Sequence, residues 1–493
     1  MPGLNQIGAG ASAARALSSQ TGWRYNRLTL RTCVALVYWL GFGDFVIKFL
    51  PESTGLVLRY VPEALLYGLA ATAFLSSVGR AGRRFPMTGP LAAFLAVAAA
   101  SILANHTPLL PAASDFRTYF RFVAFAYVVS RLDLDRDHLR FLFRQSLIVG
   151  GIQMLVGASE ILIGEPARSF FTPVTTPLAV HAATWLERPM TGLGFITGTL
   201  SNYNHFGILM VMVFTLALDE WAWRRNVASA GMAVASLVAA VLSYSRHTLL
   251  CIFATVLILL LLHKRRVLAA ALVATPLLAA AVALVIAPTV AKQVGPDISP
   301  MDRLMNTFTE GSMKGDPTEN VRLFFLLVLP GRFLSTAPVL GMGPGAIAPT
   351  SELRVLGEGS PSNGSGITSD IPEDLVVFIT DVVWIVALGT YGLAGLLAIA
   401  YVFASILREA LALRRAVELP EARLLAEVVI AWTVALILAG FFSMEVIARD
   451  TVPVFWLFVG AVFALRRQAL SPVAVAAALP VTVLPSMQEV VRP

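Results

Sequence analysis

The sequence predicts an all-α polytopic membrane protein with about twelve transmembrane helices and one large outward-facing loop between the ninth and the tenth. Three observations predict it. First, 57% of the 493 residues are hydrophobic and only 14% are charged, a balance outside the usage of soluble globular chains. Second, apolar runs long enough to cross ~30 Å of hydrocarbon recur along nearly the whole chain, and in lipid such runs must be helical because each backbone polar group needs an internal partner. Third, the basic residues sit in short clusters that fall in alternate connections between those runs, as topology signals do.

Residues 1–28 read as an N-terminal tail that is small, polar and basic (Arg15, Arg24, Arg27), with no apolar core of a cleaved leader, so the first span serves as an uncleaved anchor. Spans fall near 30–49, 59–77, 88–104, 115–131, 141–163, 196–219, 227–243, 247–263, 267–288, 375–405, 422–441 and 451–466. The connections carrying Arg80, Arg83 and Arg84, then Arg131, Arg136, Arg140 and Arg144, then Arg224 and Arg225, then Lys264, Arg265 and Arg266, then Arg408, Arg414, Arg415 and Arg423 are assigned to the cytoplasm. Both tails fall on that side, the C-terminal one being 468–493, and the basic pair Arg466 and Arg467 agrees with an even number of spans. The transmembrane domain is thus 29–467 with the outer loop 289–374 inserted in it.

The charge of +7 is distributed as topology signals and predicts no nucleic-acid partner. Cys33 and Cys251 both lie in apolar runs, which excludes a disulfide framework or a cysteine metal site. His181, His205 and His247 lack a metal-ligand spacing, and no phosphate-binding glycine loop or Asp-rich diphosphate–metal motif occurs, so neither a metal nor a cofactor is expected.

Two outer segments, 164–195 and 289–374, exceed the length of simple turns, and loops of that length carry function. In the larger one Val321 to Leu340 is apolar, which predicts a helix on or dipping into the membrane, ended by a flexible Gly341-Met-Gly343-Pro-Gly345 turn.

Four clusters could carry chemistry. Arg188 to Gly192, followed by Gly198 to Gly207 with Asn204 and His205, offers polar groups for a sugar or a phosphate, or is a polar helix entry capped by Ser201 or Asn202. Ser243-Tyr244-Ser245-Arg246-His247 leaves an arginine at the outer membrane surface, as a functional group or by snorkelling. Arg303 and Arg322 follow in the long loop; the planar guanidinium suits bidentate contact with phosphate oxygens. Asp370, Glu373 and Asp374 read as a helix start, and Asp381 lies two turns into an apolar run, where a carboxylate is either a base or half of an ion pair.

In order and spacing, these residues over about 185–400 resemble the superfamily of O-antigen ligases and Wzy-type polysaccharide polymerases, bacterial membrane glycosyltransferases with a lipid-diphosphate donor. The resemblance is carried by Gly198-Thr-Leu-Ser-Asn-Tyr-Asn204-His-Phe-Gly207, by Ser245-Arg246, by Arg303-Leu304, Arg322 and Pro338-Val-Leu-Gly341-Met-Gly343, and by Gly392-Leu-Ala-Gly395. It implies an inner-membrane fold of the GT-C type and an inverting, metal-independent glycosyl transfer at the periplasmic face. It also implies an undecaprenyl-diphosphate-linked oligosaccharide as substrate, membrane lipid as surroundings and a chain-length co-polymerase as a partner. By the same resemblance, Arg246 and Arg322 hold the diphosphate, Arg188, Arg303, Asn204, His205 and Tyr244 bind substrate, and Asp381 is the base. Ligases of this family carry histidine where this chain has Asp381, which favours polymerisation of repeat units for exopolysaccharide, capsule or O-antigen over transfer of a finished glycan to another acceptor. A secondary transporter or flippase, with Asp44 in the first span, is the reading from a different class.

Overall fold

A computed structural model describes residues 4–77, 85–173, 196–200, 202–243, 245–263, 321–346 and 382–470. Among these residues every regular element is a helix. In chain order they are α1 (Leu4–Ile47), α2 (Glu52–Ser77), α3 (Thr88–Asn105), α4 (Leu109–Phe120), α5 (Val123–Ser130), α6 (Arg136–Leu162) and α7 (Glu165–Phe171). There follow α8 (Tyr203–Arg224), α9 (Val227–Leu242), α10 (Arg246–His263), α11 (Val321–Thr336), α12 (Val383–Ala416), α13 (Pro420–Ala439), a 3-10 turn at Glu445–Ile447 and α14 (Val452–Ala469).

Seven of these contain stretches long and apolar enough to cross a membrane: Asn26–Ile47 of α1, and α3, α6, α8, α12, α13 and α14. The chain is a multi-pass helical membrane protein. The most apolar windows of α8, α12, α13 and α14 are 72–83% buried against 22–44% for those of α1, α3 and α6, so the first four form the centre and the others the rim. α8 packs on α9, α10 and α13, α12 on α3, α11 and α13, and α14 on α5. Trp432 of α13, fully enclosed, donates its indole N–H to Met212 O of α8 at 3.2 Å and locks two central helices together.

The helix starts follow local chemistry. Asn202 caps α8 by accepting from the Asn204 amide at 2.8 Å, and Asn226 caps α9 through the Ala228 amide at 3.0 Å. Asp135 caps α6, accepting from the His138 amide at 2.9 Å with the His138 ring 2.8 Å from the same oxygen. Pro420 and Pro453 stand in the first turns of α13 and α14, where a missing N–H costs nothing.

Several sequence expectations need adjustment. Helix α1 begins at Leu4, within the expected N-terminal tail. The expected span 115–131 is two helices, because the chain turns at Arg121 and Phe122 between α4 and α5. The expected tenth span is helical from Val383 to Ala416 but broken at Gly392, whose φ of 65° and ψ of −168° are open only to glycine. The apolar stretch of the long loop is a helix, α11, as its pattern predicts. Its end is no loose turn: the Met342 amide donates to Gly389 O at 2.8 Å and the Gly343 amide to Thr390 O at 3.0 Å, while Leu393 and Ala394 donate back to Pro338 O and Val339 O at 2.9 and 3.1 Å. Ser101 and Asn105 of α3 clamp the same turn by donating to Leu340 O at 2.7 Å and Gly341 O at 3.1 Å. The break in α12 thus exposes backbone groups that the Pro338–Gly343 turn satisfies, as apolar surroundings demand. The expected span 267–288 lies outside the described residues.

Candidate functional site

Helix starts and ends sort the polar groups to the two ends of the bundle. One end is organised around Asp44, the other around Glu427.

At the Asp44 end, the connection 440–451 between α13 and α14 touches nearly every neighbouring element. The Trp384 amide, at the start of α12, donates to Gly440 O at 3.5 Å, and the Trp384 indole donates to Ile437 O at 2.8 Å. Phe442 stacks on His247 near the start of α10, with ring centroids 6.5 Å apart and planes at 12°. Ile447 O accepts from Nη2 of Arg121, the residue that follows α4, at 3.3 Å. Arg449 donates to Arg59 O of α2 and lies 3.4 Å from Asp44 of α1. Asp450 lies 3.0 Å from Nδ1 of His205, in the first turn of α8.

Charge is concentrated beside this connection. Glu63 of α2 takes Arg117 of α4 at 2.6 Å and Arg121 at 3.6 Å, and Asp44 takes Arg449 at 3.4 Å and Arg59 at 3.9 Å. Burial, with neighbouring Arg59 adding to it, holds the Arg449 guanidinium below the usual arginine range although Asp44, Glu63 and Asp450 pull the other way. None of Arg59, Glu63, Arg117, Arg121, Arg449 and Asp450 was singled out from sequence. The available signal was their placement: charges within or beside apolar runs are expensive and have a reason to be there.

Two expected site residues are described in full, Asn204 and His205, and the fold brings both to this end. They are 2% and 8% exposed. Among the described residues, nothing donates to Asn204 Oδ1 or Asp450 Oδ1, so two buried acceptors stand ready for hydroxyl or amide donors. The preceding Gly198 and Thr199 are structural: Gln153 of α6 accepts from the Thr199 amide at 2.9 Å and donates to the Thr199 hydroxyl at 2.7 Å, and a side chain on Gly198 would meet the Gln153 amide. The glycine at 207 lets α8 approach α10, since a Cβ there would meet the Thr248 hydroxyl.

Arg246 is the first residue of α10, at the Asp44 end, and Arg322 the second of α11. Their side chains, together with Arg188, Tyr244, Arg303 and Asp381, lie outside the described residues. Asp44, which motivates the transporter reading, is engaged by two arginines and is one member of a larger network.

At the opposite end, Asp219 of α8, His263 of α10 and Glu427 of α13 bring ligand-type atoms within 4.8 Å of one another. His263 Nε2 lies 2.6 Å from Asp219 and 2.8 Å from Glu427. Glu427 also takes Arg414 of α12 at 2.7 Å and Arg423 at 3.3 Å and accepts from the Trp223 indole at 3.1 Å. Two guanidinium groups on one carboxylate make this a buried ion-pair hub and oppose a further cation. A second hub adjoins it, where Glu421, 1% exposed, takes Arg136, Arg140 and Arg224 at 2.7, 3.1 and 2.8 Å.

No protein-family model matches the chain, and no curated protein matches it.

Proposed function

We propose that this protein is a glycosyltransferase of the bacterial inner membrane that polymerises undecaprenyl-diphosphate-linked oligosaccharide repeat units at the periplasmic face. In this reading the chain crosses the membrane twelve times, both termini are cytoplasmic, and the Asp44 end faces outward. One observation supports it: the starts of α8 and α10, which bear two of the motifs behind the resemblance, and the start of α12 meet at the 440–451 connection on a single end of an apolar bundle. Both ends carry arginine–carboxylate networks, and at the Asp44 end two buried acceptors, Asn204 Oδ1 and Asp450 Oδ1, take no donor among the described residues.

The chemistry asks little of a protein beyond charge and placement. The acceptor hydroxyl attacks the anomeric carbon of the donor, a new C–O bond forms as the bond to the diphosphate breaks, and the configuration inverts. Arg246 and Arg322 hold the diphosphate and stabilise the charge it takes on leaving, which is the electrostatic term that dominates such catalysis. Arg188 and Arg303 assist. Asn204, His205 and Tyr244 hold sugar hydroxyls. Asp381 receives the proton of the acceptor hydroxyl, which one well-placed base can do.

Deleting the gene tests this reading. Collapse of long polymer into single lipid-linked repeat units supports it. Accumulation of long polymer still on its lipid would assign the chain to ligation, and an unchanged size distribution would refute both.

A further inference from the structure

We infer that Arg136, Arg140, Arg144 and Arg224 form a binding site for the phosphate head of an anionic membrane phospholipid, at the end of the bundle opposite Asp44. The site is independent of the function proposed above and of the residues given roles in it.

Its frame is one buried carboxylate. Glu421, 1% exposed in the first turn of α13, takes Nε of Arg136 at 2.7 Å, Nε of Arg140 at 3.1 Å and Nη2 of Arg224 at 2.8 Å, all on Oε1. Arg136 and Arg140 stand in the first two turns of α6 and Arg224 ends α8, so guanidinium groups from two helices converge on one oxygen of a third. The three side chains are 54%, 46% and 37% exposed, so a ligand can reach them from outside. Among the described residues Arg136 and Arg140 donate through Nε alone, which leaves the terminal N–H groups of both for another acceptor. Arg144, exposed on the next turn of α6, makes no ion pair among the described residues.

The chemistry of these donors selects phosphate. Arginine stays charged at any working pH, and its planar fork matches phosphate oxygens. Anchoring through Nε restricts the rotamers of Arg136 and Arg140 in advance, which lowers the cost of binding. The acids at hand are committed or aside: Glu421 Oε1 already accepts from three arginines, Glu220 accepts from Arg224 and from the Ser229 hydroxyl, and Asp137 makes no ion pair with the cluster.

The same helix supplies an apolar path. Ile148, Ile152 and Leu155 are exposed and continue along α6 from Arg144 at spacings of four, four and three residues, which keeps them on one side. α6 is one of the helices apolar enough to cross a membrane, so that side meets lipid tails while the arginines meet lipid heads. Basic clusters between membrane helices hold anionic head groups by this combination. A zwitterionic lipid brings a cationic group that the arginines repel, and free phosphate has no tail for the apolar strip.

The experiment titrates phosphatidylglycerol or phosphatidylcholine into the full chain in detergent and counts retained lipids by native mass spectrometry. Phosphatidylglycerol is expected to bind saturably and roughly tenfold more tightly than phosphatidylcholine. R140Q and R144Q are each expected to weaken it roughly fivefold, and D137N to tighten it roughly twofold by removing a neighbouring anion. R144Q breaks no ion pair among the described residues, and misfolding cannot tighten binding in D137N, so both are read free of a folding effect. R408Q is the control and is expected to bind as wild type does, because Arg408 is equally exposed but pairs with Glu409 outside the hub. Equal retention of the two lipids, or retention indifferent to R140Q, R144Q and D137N, overturns the site. An equal loss in R408Q overturns its placement, and equal affinity for inorganic phosphate overturns its assignment to a lipid. Retention is read without any polymer being made, so its failure is separate from failure of the proposed activity.

Discussion

Replacing Gly392 by alanine probes the joint between the long loop and the bundle. Gly392 holds φ 65° and ψ −168°, and a Cβ there would lie 2.5 Å from Gly341 N and closer still to Val339 O. Forcing a side chain into that backbone conformation costs about 1–3 kcal/mol. Relief requires the Pro338–Gly343 turn to move away, and four main-chain hydrogen bonds of 2.8–3.1 Å tie it to α12. Losing two of them at roughly 0.5–1.5 kcal/mol each brings the total to about 2–6 kcal/mol, a large share of the ~5–15 kcal/mol by which a protein is stable. Gly231→Ala is the control, because nothing lies within 4 Å of a Cβ at that helical position and alanine there gains about 1 kcal/mol of helix propensity. The assay is tryptophan-fluorescence melting of the purified protein in detergent, with limited proteolysis read at the Pro338–Gly345 turn. Gly392→Ala is expected to melt well below wild type and to open the turn to cleavage. A Gly392→Ala protein that melts with the Gly231→Ala control would refute the claim that this contact holds the loop to the bundle.

Other consequences can be measured directly. Glu427→Ala removes the centre of an ion-pair hub whose carboxylate is fully buried, and is expected to destabilise by about 3–5 kcal/mol in the same melting assay; an unchanged melt would show that the hub carries no stability. Asp135→Ala is expected to cost about 1 kcal/mol through loss of the α6 cap. Burial pushes the Asp135 carboxyl up, but the His138 amide, the His138 charge and its ring outweigh that and hold it below its ordinary 3.8; the cap is thus fully present above that pH and lost as pH falls through the lower folded value, where wild type and variant should converge. Cysteine labelling in intact cells checks the orientation: an exposed Leu109→Cys at the Asp44 end should react with an impermeant reagent and an exposed Asp133→Cys at the other end should not, with Cys33 and Cys251 silent because both are fully buried. The reverse labelling pattern would invert the topology.

Much of this architecture is legible in the sequence, because lipid turns hydropathy into helices with few alternatives. Asn202 reads as a cap and serves as one, and the apolar stretch after Arg322 reads as a helix and is one. What pattern does not reveal is pairing between distant segments. The Pro338–Gly343 and Gly392–Gly395 motifs are separately visible, yet nothing in either says that their glycines meet so closely that the backbones hydrogen-bond. The short connection 440–451 reads as a simple turn because its role lies in what it touches, and partners such as Asp44, Arg121 and His205 stand hundreds of residues away. Arg117 and Arg121 fall inside an expected span, where the break between α4 and α5 brings two charged side chains to the Asp44 end.

The central claim is that arginines and one carboxylate at the outer end polymerise lipid-linked repeat units. The most direct measurement replaces Arg246, Arg322 and Asp381 singly by alanine in cells lacking the native gene, checks that each variant reaches the membrane at normal level, and resolves the glycans by size. Loss of long polymer with single repeat units persisting is the result this account predicts; unchanged ladders from all three variants would contradict it.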